Sequence, residues 1–215
     1  MDRLLCRGGQ ADLTILVSWS DSRGQQVFDV TLGEYTLHCL PEGLPDLYVD
    51  YVRHAALAED FNIRSSEGAN CFLAVKRRNA WPFLVVAQRY EPAGGGFYPG
   101  TILIPETNLL FIGAGTRLLA YDLIGIKRVW EDVADIGFWG WARHGNQVVM
   151  SAELELAAWD IRGKKLWTTF VEPPWDYSVT NDVVNLDVMG KQSSFPLETG
   201  PHRPPASLRT FNRRK

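Results

Sequence analysis

The chain has 215 residues, of which 46% are hydrophobic and 22% charged, so it can bury a core without metals or disulfides. Its net charge is −3, but the last fifteen residues carry five Arg or Lys and no acid, which leaves −8 on the rest. An acidic body argues against a nucleic-acid-binding fold, and no apolar run is long enough for a transmembrane helix.

The cysteines indicate a reducing compartment. Cys6, Cys39 and Cys71 are odd in number and have neither CxxC nor zinc-finger spacing. The N-terminus lacks the pattern of a signal peptide, so we expect a cytoplasmic protein.

In chain order, the first half is irregular. The segments LTILVSW and QQVFDVTL predict a hairpin across SDSRGQ, and CFLAVKRRNAWPFLVVAQRY predicts a second hairpin with Asn79 at its turn. Between them, apolar residues at three- and four-residue steps from Leu47 to Phe61 predict an amphipathic helix near residues 46–61. The glycine-rich segment EPAGGGFYPG is a loop that joins this half to the next.

The second half contains three similar segments at a period of 35 to 38 residues. AYDLIGIKRVW in the first matches AWDIRGKKLW in the second, and SFPLETG in the third has Gly200 where the second has Gly163. Each copy predicts short strands separated by turns, and a unit of this size must stack on its neighbours to bury both faces. We predict a mainly β fold of stacked antiparallel β units of about 35–38 residues, propeller-like and closed or partial, with one amphipathic helix near 46–61.

These segments resemble the A-x-D-x-x-T-G-K-x-x-W signature of pyrroloquinoline-quinone-type β-propeller blades, which are WD-like repeat units. The resemblance covers residues 97–200. The first copy has Gly125-Ile126 in place of Thr-Gly, the second lacks the Thr, and the third lacks the Asp and the Trp. The resemblance implies strand–turn–strand units with a packing tryptophan, and it does not imply a bound quinone or dehydrogenase activity.

The expected domain organisation follows from the repeats. We expect one β-rich domain over residues 1–200, in which residues 1–96 form an irregular half with the helix and 97–200 form three repeat units. Residues 201–215 are expected to form a flexible basic tail, which could also touch phosphates or anionic lipid.

The sequence contains no pattern typical of a catalytic or metal-binding site. His54 lies on the apolar side of the predicted helix, and His144 lies in a turn. His38 precedes Cys39, but neighbouring residues of a strand point to opposite faces. The glycine-rich GAGTR is expected at a hairpin turn, and no zinc or hydrolase motif is present. We therefore predict no catalytic, cofactor-binding or metal-binding residue.

Aromatic segments are the remaining candidates for function. In regular strands the two Trp of GFWGWARH share a face, as do the Trp and Tyr of EPPWDYS. Aromatic residues dominate binding hot spots, and neighbouring acids would orient a basic partner. The predicted partner-binding residues are Trp139, Trp141, Glu172, Trp175, Asp176 and Tyr177.

Three functions remain open from the sequence. We favour a non-enzymatic protein-interaction protein with a basic partner, for which a bacterial toxin-neutralising (immunity) protein is one case, by analogy of size and charge. One alternative is a small-ligand or carbohydrate-binding β module that stacks sugars on the paired aromatics. The other is an unrecognised hydrolase that uses a pair of carboxylates drawn from Asp122, Glu153, Glu155 and Asp160, although the two aspartates are expected to bind turn amides.

Overall fold

The computed structural model describes residues 15–18, 28–91 and 97–201. Cys6, His202 and nearly all of the predicted basic tail lie outside these residues. The described chain forms four β-sheets and one short helix, which confirms the predicted fold class. No helix in the described part is long and apolar enough to cross a bilayer.

The N-terminal sheet has the strand order β2-β3-β5-β6-β4, with α1 between β3 and β4. All its neighbours are antiparallel except the parallel pair β4–β6. Its elements are β2 (Phe28–Leu32), β3 (Tyr35–Leu40), α1 (Tyr48–His54), β4 (Leu57–Phe61), β5 (Ala69–Arg77) and β6 (Leu84–Tyr90).

Each of the three similar segments forms one antiparallel sheet. The first repeat sheet has the order β1-β7-β8-β9-β10, with β1 (Ile15–Ser18), β7 (Gly100–Ile104), β8 (Leu109–Ala114), β9 (Arg117–Asp122) and β10 (Lys127–Val133). The second repeat sheet contains β11 (Phe138–His144), β12 (Gln147–Ala152), β13 (Glu155–Asp160) and β14 (Lys165–Phe170). The third repeat sheet contains β15 (Trp175–Thr180), β16 (Val183–Val188) and β17 (Lys191–Pro196).

The sheets stack face to face in the order N-terminal, first, second and third. One apolar core joins the N-terminal sheet to the first repeat sheet, a second joins the first to the second, and a third joins the second to the third. The outer face of the N-terminal sheet is covered by α1 through a fourth cluster around Phe72. No apolar core of the described residues joins the third repeat sheet back to the N-terminal sheet, so the stack is propeller-like without closing there.

The repeated aspartate stabilises the turn that follows it. Oδ1 of Asp122 accepts hydrogen bonds from the amides of Ile124 and Gly125. Oδ1 of Asp160 accepts from the amides of Arg162 and Lys164, each at 2.9 Å. These bonds satisfy turn donors that have no strand partner, as expected from the sequence.

The repeated tryptophan anchors each repeat sheet to the next. Trp130 stacks on Trp159 of the second repeat sheet with ring centroids 5.5 Å apart. A Cβ at Gly163 would lie 3.0 Å from Nε1 of Trp130. Trp167 donates its indole N–H to the Leu197 carbonyl at 2.6 Å and packs directly on Gly200. The glycine is required because any side chain would occupy the space of the indole.

The helix prediction is wrong in its second half. α1 ends at His54, and residues 57–61 form β4, which pairs in parallel with β6. Leu57, Glu59 and Phe61 are half-buried and alternate with exposed residues, which is the period of a strand. The amides of Ala56 and Leu57 both donate to the Phe83 carbonyl, so tertiary pairing ends the helix.

The first hairpin prediction is also wrong, whereas the second is confirmed. β1 pairs with β7 of the first repeat sheet, and β2 forms its hairpin with β3 through the tight turn at Gly33, whose φ is 58°. A two-residue turn brings strands together at lower entropic cost than the longer SDSRGQ connection. β5 and β6 form the predicted antiparallel pair with Asn79 in the turn.

Candidate partner-binding surface

A β-bulge in β11 separates the two tryptophans that regular alternation placed on one face. Phe138 pairs with Ala152 and Gly140 pairs with Ser151, so Trp139 is an extra residue with no partner in the ladder. Such a bulge reverses the alternation of side chains beyond it. Phe138 and Trp141 consequently share the buried face, with ring centroids 5.4 Å apart.

Trp141 is therefore a core residue, which corrects its prediction as a contact residue. Its side chain is 2% exposed and lies between the first and second repeat sheets. It also packs edge-on against Trp159 and tilts against Phe111. Trp139 is 39% exposed, so the bulge leaves one tryptophan of the pair on the surface.

The structure brings Trp139 together with the second predicted aromatic pair. Trp139 stacks on Trp175 at 5.0 Å with an interplanar angle of 12°, and Trp175 stacks on Tyr177 at 6.3 Å. Trp175 donates its indole N–H to the Glu153 carbonyl at 2.9 Å. Trp175 and Tyr177 are half-buried against the core between the second and third repeat sheets, and Trp139 is the exposed end of this ladder. Burial raises the pKa of Tyr177 to about 12.

The connections on either side of the second repeat sheet meet at its β12–β13 turn. The amide of Glu153 donates to the Gly137 carbonyl, and the amide of Leu154 donates to the Asp135 carbonyl. The amide of Val171 donates to the Leu154 carbonyl. These bonds gather residues from three separate connections at one end of the sheet.

Large apolar side chains are exposed at that same end. Val133 and Phe170 are each 65% exposed, and Ile136 is 54% exposed. Val133 and Phe170 line a pocket of about 390 Å³ together with Leu154. We call this region, with Trp139, the turn-end surface, and an exposed apolar group of this kind marks an interaction site more often than a random surface does.

The pocket beneath the turn-end surface contains a buried carboxylate. Glu155 is 8% exposed, and its oxygens accept hydrogen bonds from the Asp135 amide at 3.0 Å and the Thr168 hydroxyl at 2.6 Å. Lys165 lies 3.6 Å from Glu155 and 2.8 Å from Asp132. Since Lys165 is held by two acids, the pocket keeps an excess of negative charge.

The predicted acids Glu172 and Asp176 extend this negative charge onto the surface. Both are exposed, and Glu172 lies in the connection that follows Phe170. Asp176 faces Asp187 directly across the β15–β16 pair, and like charges in that arrangement repel. A cationic group bound there would relieve the repulsion.

Sequence reasoning missed Val133, Ile136 and Phe170. Val133 and Phe170 end the outermost strands of their sheets, where only one neighbour is present. Their apolar character is indistinguishable in sequence from that of core residues. Only the edge position of β10 and β14 explains their exposure.

His144, at the β11–β12 turn on the far end of the second repeat sheet, makes the stability of the fold dependent on pH. It packs edge-on against Tyr177, and burial lowers the pKa of His144 below its ordinary value near 6.5. Its Nε2 is buried without a hydrogen bond within the described residues. The stability contributed by the neutral ring is therefore present above about pH 6.5 and is lost as the pH falls through the folded-state pKa.

We expect the melting temperature of the wild type to fall more steeply than that of His144→Gln between about pH 7 and pH 5. Equal slopes in differential scanning calorimetry would contradict this expectation.

The other residues considered for catalysis are engaged in core packing or in turn hydrogen bonds. Cys39 is fully buried between the N-terminal and first repeat sheets, and His38 lies on the opposite face of β3. Burial raises the pKa of the Cys39 thiol, which disfavours a thiolate. Asp122 and Asp160 are engaged by their turns and are not free to form a carboxylate pair.

No family model matches the chain, and no curated protein matches it either. Among solved structures, it is similar to the crystal structure of BamB from Moraxella catarrhalis, with 6% identity and a TM-score of 0.29, over 77% of this chain and 70% of that one. At that TM-score the likeness carries no argument, so the propeller-like character rests on the stacked sheets and the tryptophan–glycine contacts described above.

Proposed function

We propose that this chain is a non-enzymatic protein-interaction module whose turn-end surface binds a basic and partly apolar segment of another protein. The observation that carries the proposal is the exposure of Val133, Ile136, Trp139 and Phe170 at one end of the second repeat sheet. Burying such side chains supplies the affinity of a typical interface.

The charges around the surface favour a basic partner. Glu172 and Asp176 are exposed in the segment that follows Phe170, while Lys165 is engaged by Asp132 and Glu155. Complementary charge of this kind speeds association and rejects acidic partners. Within this class we propose a toxin-neutralising (immunity) role in the cytoplasm, on the grounds of small size and an acidic body.

The test uses two double variants at the surface. Partners captured from native lysate are identified with the wild type, and the affinity of each purified candidate is then measured. We expect Val133→Ser with Phe170→Ser, and separately Glu172→Lys with Asp176→Lys, to weaken binding by about tenfold or more. The charge variant should also flatten the dependence of affinity on salt.

Matched controls lie at the opposite end of the same sheets. Ile124 is 61% exposed in the β9–β10 turn, and Asp182 is exposed in the β15–β16 turn. Ile124→Ser and Asp182→Lys should leave the affinity unchanged. A partner whose affinity responds equally to surface and control variants would exclude the turn-end surface as its binding site.

A further inference from the structure

A second pocket lies on the other side of the molecule, on the outer face of the N-terminal sheet. It has a volume of about 240 Å³ and is located where α1 passes the β5–β6 turn. Its walls combine aromatic side chains of α1 and of the turn with polar side chains of the sheet. None of these residues belongs to the turn-end surface.

An exposed tryptophan forms one wall of this pocket. Trp81 is 47% exposed, and its ring stacks on His54 at 4.3 Å with an interplanar angle of 8°. Nδ1 of His54 is in turn hydrogen-bonded to the Asp50 carbonyl, and Tyr51 packs edge-on against Trp81 at 5.9 Å. The indole is thus held in place by α1 while half of its surface is exposed, and a tryptophan with one buried and one exposed part is suited to contact a ligand.

The polar lining of the pocket is formed by His38, Lys76 and Asn79, and Asp29, which contacts His38 and Lys76 from outside the pocket, brings this group close to electrical neutrality. Oδ1 of Asp29 lies 2.5 Å from Nδ1 of His38, and Oδ2 lies 3.4 Å from Nζ of Lys76. Because a carboxylate only accepts, Nδ1 of His38 is the donor, and Nε2 is left for another partner. The Asp29–Lys76 pair cancels in charge, and Asn79 adds an amide that both donates and accepts.

This chemistry selects among ligand classes. A net anion is repelled by Asp29 and a net cation by Lys76, so neither gains from the site as a whole. Adjacent donors and acceptors match vicinal hydroxyl groups, each of which donates and accepts in the same way. An indole wall offers the apolar contact that the C–H face of a sugar ring requires.

We propose that this pocket binds one ring of a neutral saccharide, with the ring on Trp81 and its hydroxyl groups on His38, Lys76 and Asn79. The site is separate from the turn-end surface, and the proposal does not depend on the protein partner. Leu47, which is 49% exposed at the rim, extends the apolar wall toward a second ring.

The test titrates the full chain with neutral gluco-, galacto-, manno- and xylo-configured oligosaccharides by isothermal titration calorimetry. Calorimetry is preferred to tryptophan fluorescence because Trp81→Ala would remove the reporter with the site. We expect saturable binding of at least one saccharide, with a Kd of about 0.1 to 1 mM. Trp81→Ala and Asn79→Ala should each weaken it by about tenfold or more.

Trp139→Ala is the matched control, since it removes the exposed tryptophan of the turn-end surface. It should leave the saccharide affinity unchanged, and near-ultraviolet circular dichroism should show that all variants remain folded. The proposal is overturned if no saccharide binds saturably, or if Trp81→Ala and Trp139→Ala bind equally well. Binding of benzoate, used as an aromatic anion, in preference to every saccharide would also overturn it.

Discussion

Replacing Trp141 with alanine should lower the free energy of unfolding by about 3–5 kcal/mol, the cost of truncating a large buried aromatic side chain. The indole is 2% exposed and contacts Phe111, Phe138 and Trp159 between two sheets. Its removal leaves a cavity that these rigid rings cannot fill. Urea unfolding followed by circular dichroism measures the loss.

Trp139→Ala is the control for this experiment, because the two residues lie two positions apart in one strand. Trp139 is 39% exposed and loses chiefly its stack on Trp175, which is worth about 0.5–1.5 kcal/mol. The difference in the free energy of unfolding between the two variants measures how strongly the bulge separates the buried Trp141 from the exposed Trp139. Equal losses would mean that the bulge does not divide the two side chains between core and surface.

Gly200→Ala should be strongly destabilising. A Cβ there would lie 2.6 Å from Cβ of Trp167 and closer still to its ring, and the φ of 71° is already unfavourable for alanine. We expect a loss of about 2–5 kcal/mol, from about 1–2 for the left-handed backbone and the rest from overpacking. Thermal or urea unfolding of the purified variant tests this value.

Gly190→Ala separates the two contributions. Gly190 has a φ of 79° in the same sheet, but a Cβ there would meet no atom within 4 Å. Gly190→Ala should therefore lose only the backbone component, about 1–2 kcal/mol.

In a Trp167→Ala background the extra cost of Gly200→Ala should disappear, because the indole that the new methyl group would strike is gone. Persistence of the full cost in that background would place the strain elsewhere.

The stacking of the sheets has a consequence for function. Because Trp130 and Trp167 each bind the following sheet, the faces of the first and second repeat sheets are buried and unavailable to partners. What remains accessible are strand edges, turns and the two outer faces of the stack. The turn-end surface and the Trp81 pocket are both of this kind, which is why neither contains a repeated residue.

The sequence by itself determined the repeated unit and its packing elements. Asp122 recurs at Asp160 and Trp130 recurs at Trp167, and this recurrence was sufficient to predict the repeated unit. The aspartate binds amides of its own turn and the tryptophan packs on the adjacent unit, so both interactions are short-range. Short apolar runs bounded by turn residues likewise predicted most strands of the second half, since runs and turns of this kind are local features of the chain.

Only the tertiary structure decided which aromatic and apolar residues reach the surface. The bulge at Trp139 depends on the register of β11 against β12, and the exposure of Val133 and Phe170 depends on their position at sheet edges. The early end of α1 depends on hydrogen bonds to Phe83, and the pocket at Trp81 depends on α1 meeting a turn that is distant from it in sequence. Each of these features arises from contacts between distant segments, whose free energy outweighs the local preferences that a sequence pattern records.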